Sequence, residues 1–437
     1  MLLFFVFTGC GLNSWGNLRS NLQSTVKATD TDTPQVRKKL VFWHIQLVGS
    51  ISDVVKHSVE RFMKDNPDVE VEIVLYLNEA YKLKLVVAME TRNPPDIFPT
   101  WGGGPLFEYA KAGQVLDITE MFDTEGYRDR FLKHAVESVT FDGKVWAVPV
   151  EGCVIAVIFY NKKIFEELGL KVPQTYSQLL DIVKKLRSKG IIPFALANRT
   201  KWPGSMFYMY FVDRLGGPRV FEKAASRNGG SFEDETFVKA GEMVQDLVKL
   251  GAFPDGFNGL DYDTMQSRSL MYSGKAAMEL TGTWNIGNVR DENDEFYKNC
   301  LDFFPFPEIE GGKGDTADLI GTFGDNFYSI SKSCKYPKEA FKLIQTLIDD
   351  TAVEERAAKG RIPPVKSFKT TDPMLRRVLK LISEAPSVQL WYDQYLPLEL
   401  GEKHKNICQA IFDLSISPRE AAKQMEEAAR KYYRTGR

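Results

Sequence analysis

Between Lys39 and Phe98 the chain alternates short apolar runs with helical periodicity, and this rhythm limits the folds open to it. Leu40-Val41-Phe42-Trp43 reads as a strand, and Asp53 to Lys64 then places Val55, Val59 and Phe62 on one helical face. Val69, Val71, Ile73 and Leu75 recur at every second position, with Glu70 and Glu72 between them, as in a half-buried strand. A second helical segment, Tyr81 to Arg92, leads into Pro94-Pro95-Asp96-Ile97-Phe98, a turn and a third strand. Strands that alternate with helices build an α/β fold, a largely parallel sheet covered on both faces. Such sheets bind ligands beyond the carboxyl ends of their strands, where Trp43-His44 and Pro99 to Gly104 fall.

A second unit begins near Glu151. Val154 to Tyr160 is a strand, Lys162 to Leu168 is helical, and Pro173 to Lys189 places Leu179, Ile182, Val183 and Leu186 on one face, with Thr175 as cap. Ile191 to Leu196 returns to strand character. Phe237 to Leu250 is helical with Met243, Leu247 and Leu250 in line, and Asp315 to Ile330 is strand-like again. One helix is expected from Pro337 to about Lys359, stopped by Gly360, before a rigid reversal at Ile362-Pro363-Pro364-Val365. No repeat of constant period is visible, which argues against solenoids and propellers.

The 437 residues are 43% hydrophobic and 26% charged, enough for more than one core in a soluble body. A formal net charge of -2 supplies no electrostatic footprint for nucleic acid. The opening MLLFFVFTGC is too short an apolar run to span a bilayer, which takes about 20 residues. It suits the apolar part of a secretion signal, whose positive start is missing, so the natural start is expected a few residues upstream. A buried strand beginning at Met1 and running into a long polar stretch is the weaker reading. Phe7-Thr8-Gly9-Cys10 resembles the lipobox of bacterial lipoproteins, with Phe7 where leucine is usual. That resemblance implies a signal remnant at 1–10, lipid attachment at Cys10 and anchoring to the membrane by several acyl chains. Residues 11–38, rich in Ser, Thr, Asn, Asp and Gln, form a flexible tether. Cys153, Cys300, Cys334 and Cys408 show no close paired spacing, so no metal cluster is expected and their disulfide state is left open.

Several separated stretches carry a wider resemblance. Asp96-Ile97, Trp101-Gly102, Gly113, Leu116-Asp117-Ile118-Thr119, Gly143 to Pro149 and Tyr160-Asn161-Lys162 are followed by Gly274 to Met278, Gly282-Thr283-Trp284 and Pro305 to Pro307. In this order they resemble the extracellular solute-binding proteins of bacterial ABC importers, the family that includes maltose- and oligosaccharide-binding proteins. Tyr176 stands where that family often has tryptophan. The resemblance implies a two-lobed periplasmic-binding-protein-like fold with a hinge and an interlobe ligand cleft. Lobe 1 is expected at 39–149 with 311–364, and lobe 2 at 150–310 with 365–434. Closure over the ligand would create the surface read by the permease. The implied function is capture of an extracellular carbohydrate by a monomer, without catalysis, cofactor or metal.

A sugar ring offers C–H groups on its faces and hydroxyls around its edge, so its site needs flat aromatic platforms with polar groups between them. Trp43, Trp101, Trp202, Trp284 and Trp391 are the candidate platforms, and five of them suit an oligosaccharide better than a single ring. Trp146 reads as packing, as does Tyr432-Tyr433 in the last helix. Glu151, Asp325, Asn326 and Asp393 are the candidate polar ligands, with Glu399 weaker; each has the alternative of capping a local turn. His44 is isolated among 4 histidines, which supports neither a metal nor a catalytic base.

Two other classes compete. A surface glycoside hydrolase needs two carboxylates of distinct pKa across the scissile bond, and Glu151 with Asp325 shows no such distinction in sequence. There is no Gly-x-Ser-x-Gly, His-Glu-x-x-His or phosphate-loop motif. A peptide or iron receptor of the same fold would use fewer aromatic platforms or clustered tyrosines.

Overall fold

The computed structural model describes residues 37–45 and 49–435. The expected signal, the lipidation site Cys10 and most of the tether lie outside the described residues.

The first lobe opens with β1 (Lys38–His44), α1 (Ser50–Asp65), β2 (Val69–Leu75), α2 (Asn78–Glu90) and β3 (Ile97–Thr100). β1 pairs in parallel with both neighbours, Leu40 opposite Val71 and Phe42 opposite Ile97, as the alternation of strand and helix requires. Leu40, Phe42, Val55, Val59 and Phe62 meet in one core, so the sheet face and helix face read from sequence bury each other. After α3 (Gly103–Lys111) the chain reaches β4 (Val148–Pro149), the edge of this sheet.

The second lobe is organised by β5 (Val154–Asn161). Val154, Ala156 and Ile158 enter one core, whereas Ile155, Val157 and Phe159 enter another on the opposite face. A strand covered on both faces needs apolar residues without alternation, which is what this run supplies. Around it come α4 (Tyr176–Ser188), β6 (Ile192–Phe194), α5 (Trp202–Gly216), α6 (Glu235–Lys249), β7 (Ala276–Gly282), β8 (Leu301–Phe304) and β9 (Leu319–Thr322). β5 runs antiparallel to β7, β8 and β9, and the Thr175 side chain caps α4 by accepting from Gln178 N.

The chain returns to the first sheet as β10 (Phe327–Ile330), antiparallel to β3 and β4, and continues through α7 (Asp350–Ala358). β11 (Val388–Gln389), α8 (Leu398–Phe412) and α9 (Pro418–Arg434) complete the second lobe. The first sheet has the order β2-β1-β3-β10-β4, and the second β11-β9-β5-β7-β6 with β8 beside β5. Among the described residues, three crossings join the lobes. One runs from Pro149 to Val154 and one from Thr322 to Phe327. The third follows α7, where Ile362 O accepts from Cys153 N at 2.9 Å and Pro364 O accepts from Leu132 N at 3.0 Å.

Some expectations shift. Residues 319–322, placed by sequence with the first lobe, pair into the second sheet, so the return crossing comes later in the chain. The single helix expected over 337–359 is two, because the Asp349 side chain caps a fresh start by accepting from Ala352 N at 2.8 Å. Leu250 is exposed at the end of α6, whose buried face is Phe237, Val238, Ala240, Val244 and Leu247. α5 carried no periodic signal because it is buried on all sides, and Trp202 opens this helix.

Candidate ligand cleft

A cavity of about 190 Å³ lies between the lobes. The first lobe supplies Trp101, just beyond the end of β3, and Asn78 and Lys82 from the first turns of α2. Trp101 is held edge-to-face by Tyr81, 5.8 Å between ring centroids, and the Lys82 ammonium lies 5.1 Å from its ring. Tyr81 is itself fixed, its hydroxyl donating to Pro99 O at 2.5 Å.

The second lobe supplies three more indoles. Trp284 ends the turn after β7, Trp202 opens α5, and Trp391 precedes a short helical turn, Tyr392–Tyr395. Trp284 lies 5.7 Å from Trp202 at 75° and 6.0 Å from Trp391 at 56°, so the rings brace one another without stacking flat. Trp284 Nε1 donates to the Tyr262 hydroxyl at 2.7 Å, which fixes its rotation. Gly282 is required here: a Cβ on it would stand 2.4 Å from the Trp284 ring.

The crossings form the polar floor. Asn326 O accepts from Glu151 N at 2.9 Å and from Val150 N at 3.2 Å, which stitches two crossings together. Arg361, on the third, donates to Trp284 O at 2.7 Å and to Asn288 Oδ1 at 2.8 Å, and so braces the platform. Burial pushes the Asp325 carboxyl up to about 7, against the pull of Arg361 and reinforced by Glu151. Burial also raises Asp263, on the second-lobe wall, above the usual carboxylate range.

Among the described residues, three on the wall keep a buried polar atom without a protein partner: Trp202 Nε1, Asn326 Oδ1 and Gln394 Oε1. One is a donor and two are acceptors. Each costs about 1–3 kcal/mol while unsatisfied, and a hydroxyl-bearing ligand answers both kinds because it donates and accepts.

Of the residues singled out by sequence, Trp101, Trp202, Trp284, Trp391, Asp325, Asn326 and Asp393 share this cavity. Trp43 and Glu151 are not on its wall. Trp43 packs on Tyr76, 4.9 Å between centroids, because β1 turns that side chain toward α2. Glu151 is buried and paired with Arg356, which is fully buried, at 3.0 Å; the pair clamps the first crossing to α7. Glu399 is exposed on α8. His44 is buried, stacked on Phe42, and its pKa is lowered to about 4 chiefly by burial. Trp146 and Tyr432 are core residues. The four described cysteines are free thiols.

Sequence reasoning missed Asn78, Lys82, Tyr262, Asp263, Asn288, Arg361 and Gln394. Only Arg361 had a signal, its place against the Ile362-Pro363-Pro364 reversal.

Residues 49–354 match the family described as bacterial extracellular solute-binding protein. The chain belongs to this family. An ABC transporter extracellular-binding protein of Pyrococcus horikoshii is 27% identical over 83% of this chain and 80% of that relative. A maltotriose-binding protein of Pyrococcus abyssi is 26% identical over 90% of this chain and 81% of its own length. A structure from work on xylan utilisation by Caldanaerobius polysaccharolyticus superposes with a TM-score of 0.84 at 30% identity, covering 89% of this chain and 99% of its own. A chitin oligosaccharide binding protein shares the fold, with a TM-score of 0.83 at 22% identity, over 90% of this chain and 98% of its own. Membership accounts for the two-lobed fold and the interlobe cleft, places the protein outside the cytoplasm, and makes it a binding protein rather than an enzyme.

Proposed function

We propose that this protein captures an extracellular carbohydrate, an oligosaccharide of a few units, and delivers it to the permease of an ABC importer. The observation that carries the reading is the cluster of Trp202, Trp284 and Trp391 on one wall facing Trp101 on the other, with unpartnered donors and acceptors between them. Indole faces bury the apolar faces of sugar rings at low conformational cost, and the polar atoms discriminate hydroxyl positions. Relatives named for maltotriose and for multiple sugars, and a structure from work on xylan utilisation, support the same class.

The receptor works at the outer face of the membrane as a monomer. Acyl chains on Cys10 hold it there, the polar tether gives it reach, and lobe closure presents the loaded form to the permease.

A thermal-shift screen with xylo-, malto- and chito-oligosaccharides, amino acids, short peptides and ferric salts tests the reading. A ligand of the native state raises the melting temperature by mass action. A shift confined to one glycan series supports it and names the sugar; a shift with peptide or iron alone overturns it. Anchoring is tested apart, by mass spectrometry of the membrane-bound protein. An N-terminal peptide that begins at Cys10 without acyl chains would remove the anchor from this account.

A further inference from the structure

Behind the second-lobe wall of the cleft lies a buried cation. Arg268, on the helix Gln266–Tyr272, is 4% exposed and does not line the cavity. Taking a guanidinium out of water is costly unless its partners are well placed, so its surroundings decide what it is there for. Its Nε and Nη2 donate to the two carboxylate oxygens of Glu292 at 2.8 Å each, a two-pronged grip, and the Tyr272 hydroxyl donates to one of those oxygens at 2.7 Å. Glu292 ends the helix Asn285–Glu292, which starts directly after Trp284. The guanidinium held in this way lies over the Tyr262 ring, 4.8 Å from its centre.

Tyr262 is where this cation meets the binding wall. Its ring stands edge-on to Trp202, 4.6 Å between centroids at 71°. Its hydroxyl accepts from Trp284 Nε1 at 2.7 Å and lies 3.4 Å from the Thr281 hydroxyl. The phenol oxygen is therefore engaged within the protein, although Tyr262 borders the cavity. One phenol touches two of the three indoles, and a phenol pressed from behind by a fixed cation has little freedom to tilt.

We infer that Arg268 is a positioning residue for the binding wall: it clamps the Tyr262 ring and, through the Tyr262 hydroxyl, sets the angle at which Trp284 meets the solute. Arg268 touches no solute itself. The inference rests on the cleft proposed above as the binding site, and not on which glycan it takes.

The test is a double-mutant cycle on the full chain, Arg268→Met and Tyr262→Phe, alone and together. In the ligand-free protein it is read by the near-ultraviolet circular dichroism of the indoles and by iodide quenching of their emission, neither of which depends on a solute. Calorimetry with xylotriose, maltotriose and chitotriose then gives the affinity. Arg268→Met is expected to flatten the dichroism and to weaken binding of whichever trisaccharide wild type takes by about fivefold to tenfold. Tyr262→Phe keeps the ring and cuts the bond to Trp284, so in that background Arg268→Met should change the affinity by less than about twofold. Arg268→Lys keeps a cation near the ring and should give the smaller loss. Where Arg268→Met unfolds the chain, Glu292→Gln, which loosens the guanidinium without removing it, takes its place in the cycle with an expected loss of about threefold. A lower melting temperature with dichroism, quenching and affinity unmoved makes Arg268 a fastener between two helices and overturns the inference, as do losses that add in the double variant. If none of the trisaccharides binds wild type, the carbohydrate reading fails, while the ligand-free dichroism and quenching still decide the role of Arg268.

Discussion

The two walls of the cleft are built differently. The first-lobe wall carries one indole, Trp101, with Asn78 and Lys82 from a helix start, whereas the second-lobe wall carries three indoles braced by one another and by Tyr262. A wall that buries flat apolar area holds a ligand on its own, and a wall of single polar reaches completes a grip already made. On the proposed function, the second lobe would act as the seat and the first as the cover.

The sharpest way to break this comparison is Trp284→Ala. Trp284 is the centre of the cluster, and its loss is expected to weaken glycan binding about a hundredfold, on the order of 3 kcal/mol, measured by calorimetry. Trp101→Ala, on the covering wall, should cost about tenfold. Equal losses at the two positions would mean that the walls share the ligand evenly.

The floor between the walls gives a pH signature. Asp325 has its pKa raised to about 7 from an ordinary 3.8, so the native state holds that proton more tightly than the unfolded chain does. The stability this contributes is fully present below pH 4 and is lost as pH rises toward 7. Asp325→Asn stays neutral throughout, so its stability relative to wild type should climb by roughly 1–3 kcal/mol between pH 4 and pH 8, read from denaturant melts. A flat difference would mean that Asp325 is ionised and paired with Arg361. The smallest effect is expected from Trp43→Phe, within about twofold in glycan affinity, because Trp43 packs against Tyr76 away from the cavity. A large loss there would redraw the covering wall.

The same contrast explains what could be read from sequence. β1 to β3 were legible because each element buries one face, and one buried face writes a period into the chain. α5 was not, because Met206, Phe207, Met209, Tyr210 and Phe211 are buried all round and a helix apolar on every side has no period. Four of the five candidate indoles line the cavity, and tryptophan at a strand or helix end is conspicuous in the sequence. Lys82, Asp263 and Gln394 sit in stretches where nothing local separates them from ordinary surface polar residues, and the fold alone brings them to the cavity. Glu151 shows the opposite case: its position at a crossing was right, but the fully buried Arg356, distant in sequence, claims its carboxylate.

The indole cluster has one more consequence. Of the 7 tryptophans in the chain, three stand edge against one another around a single cavity, and one of them is hydrogen bonded to a tyrosine. Indole emission responds to the polarity of its surroundings, and neighbouring indoles pass excitation among themselves. On the proposed function, a ring laid over these faces would displace water from several emitters together, and the protein's native fluorescence would then gauge its own occupancy without an attached dye.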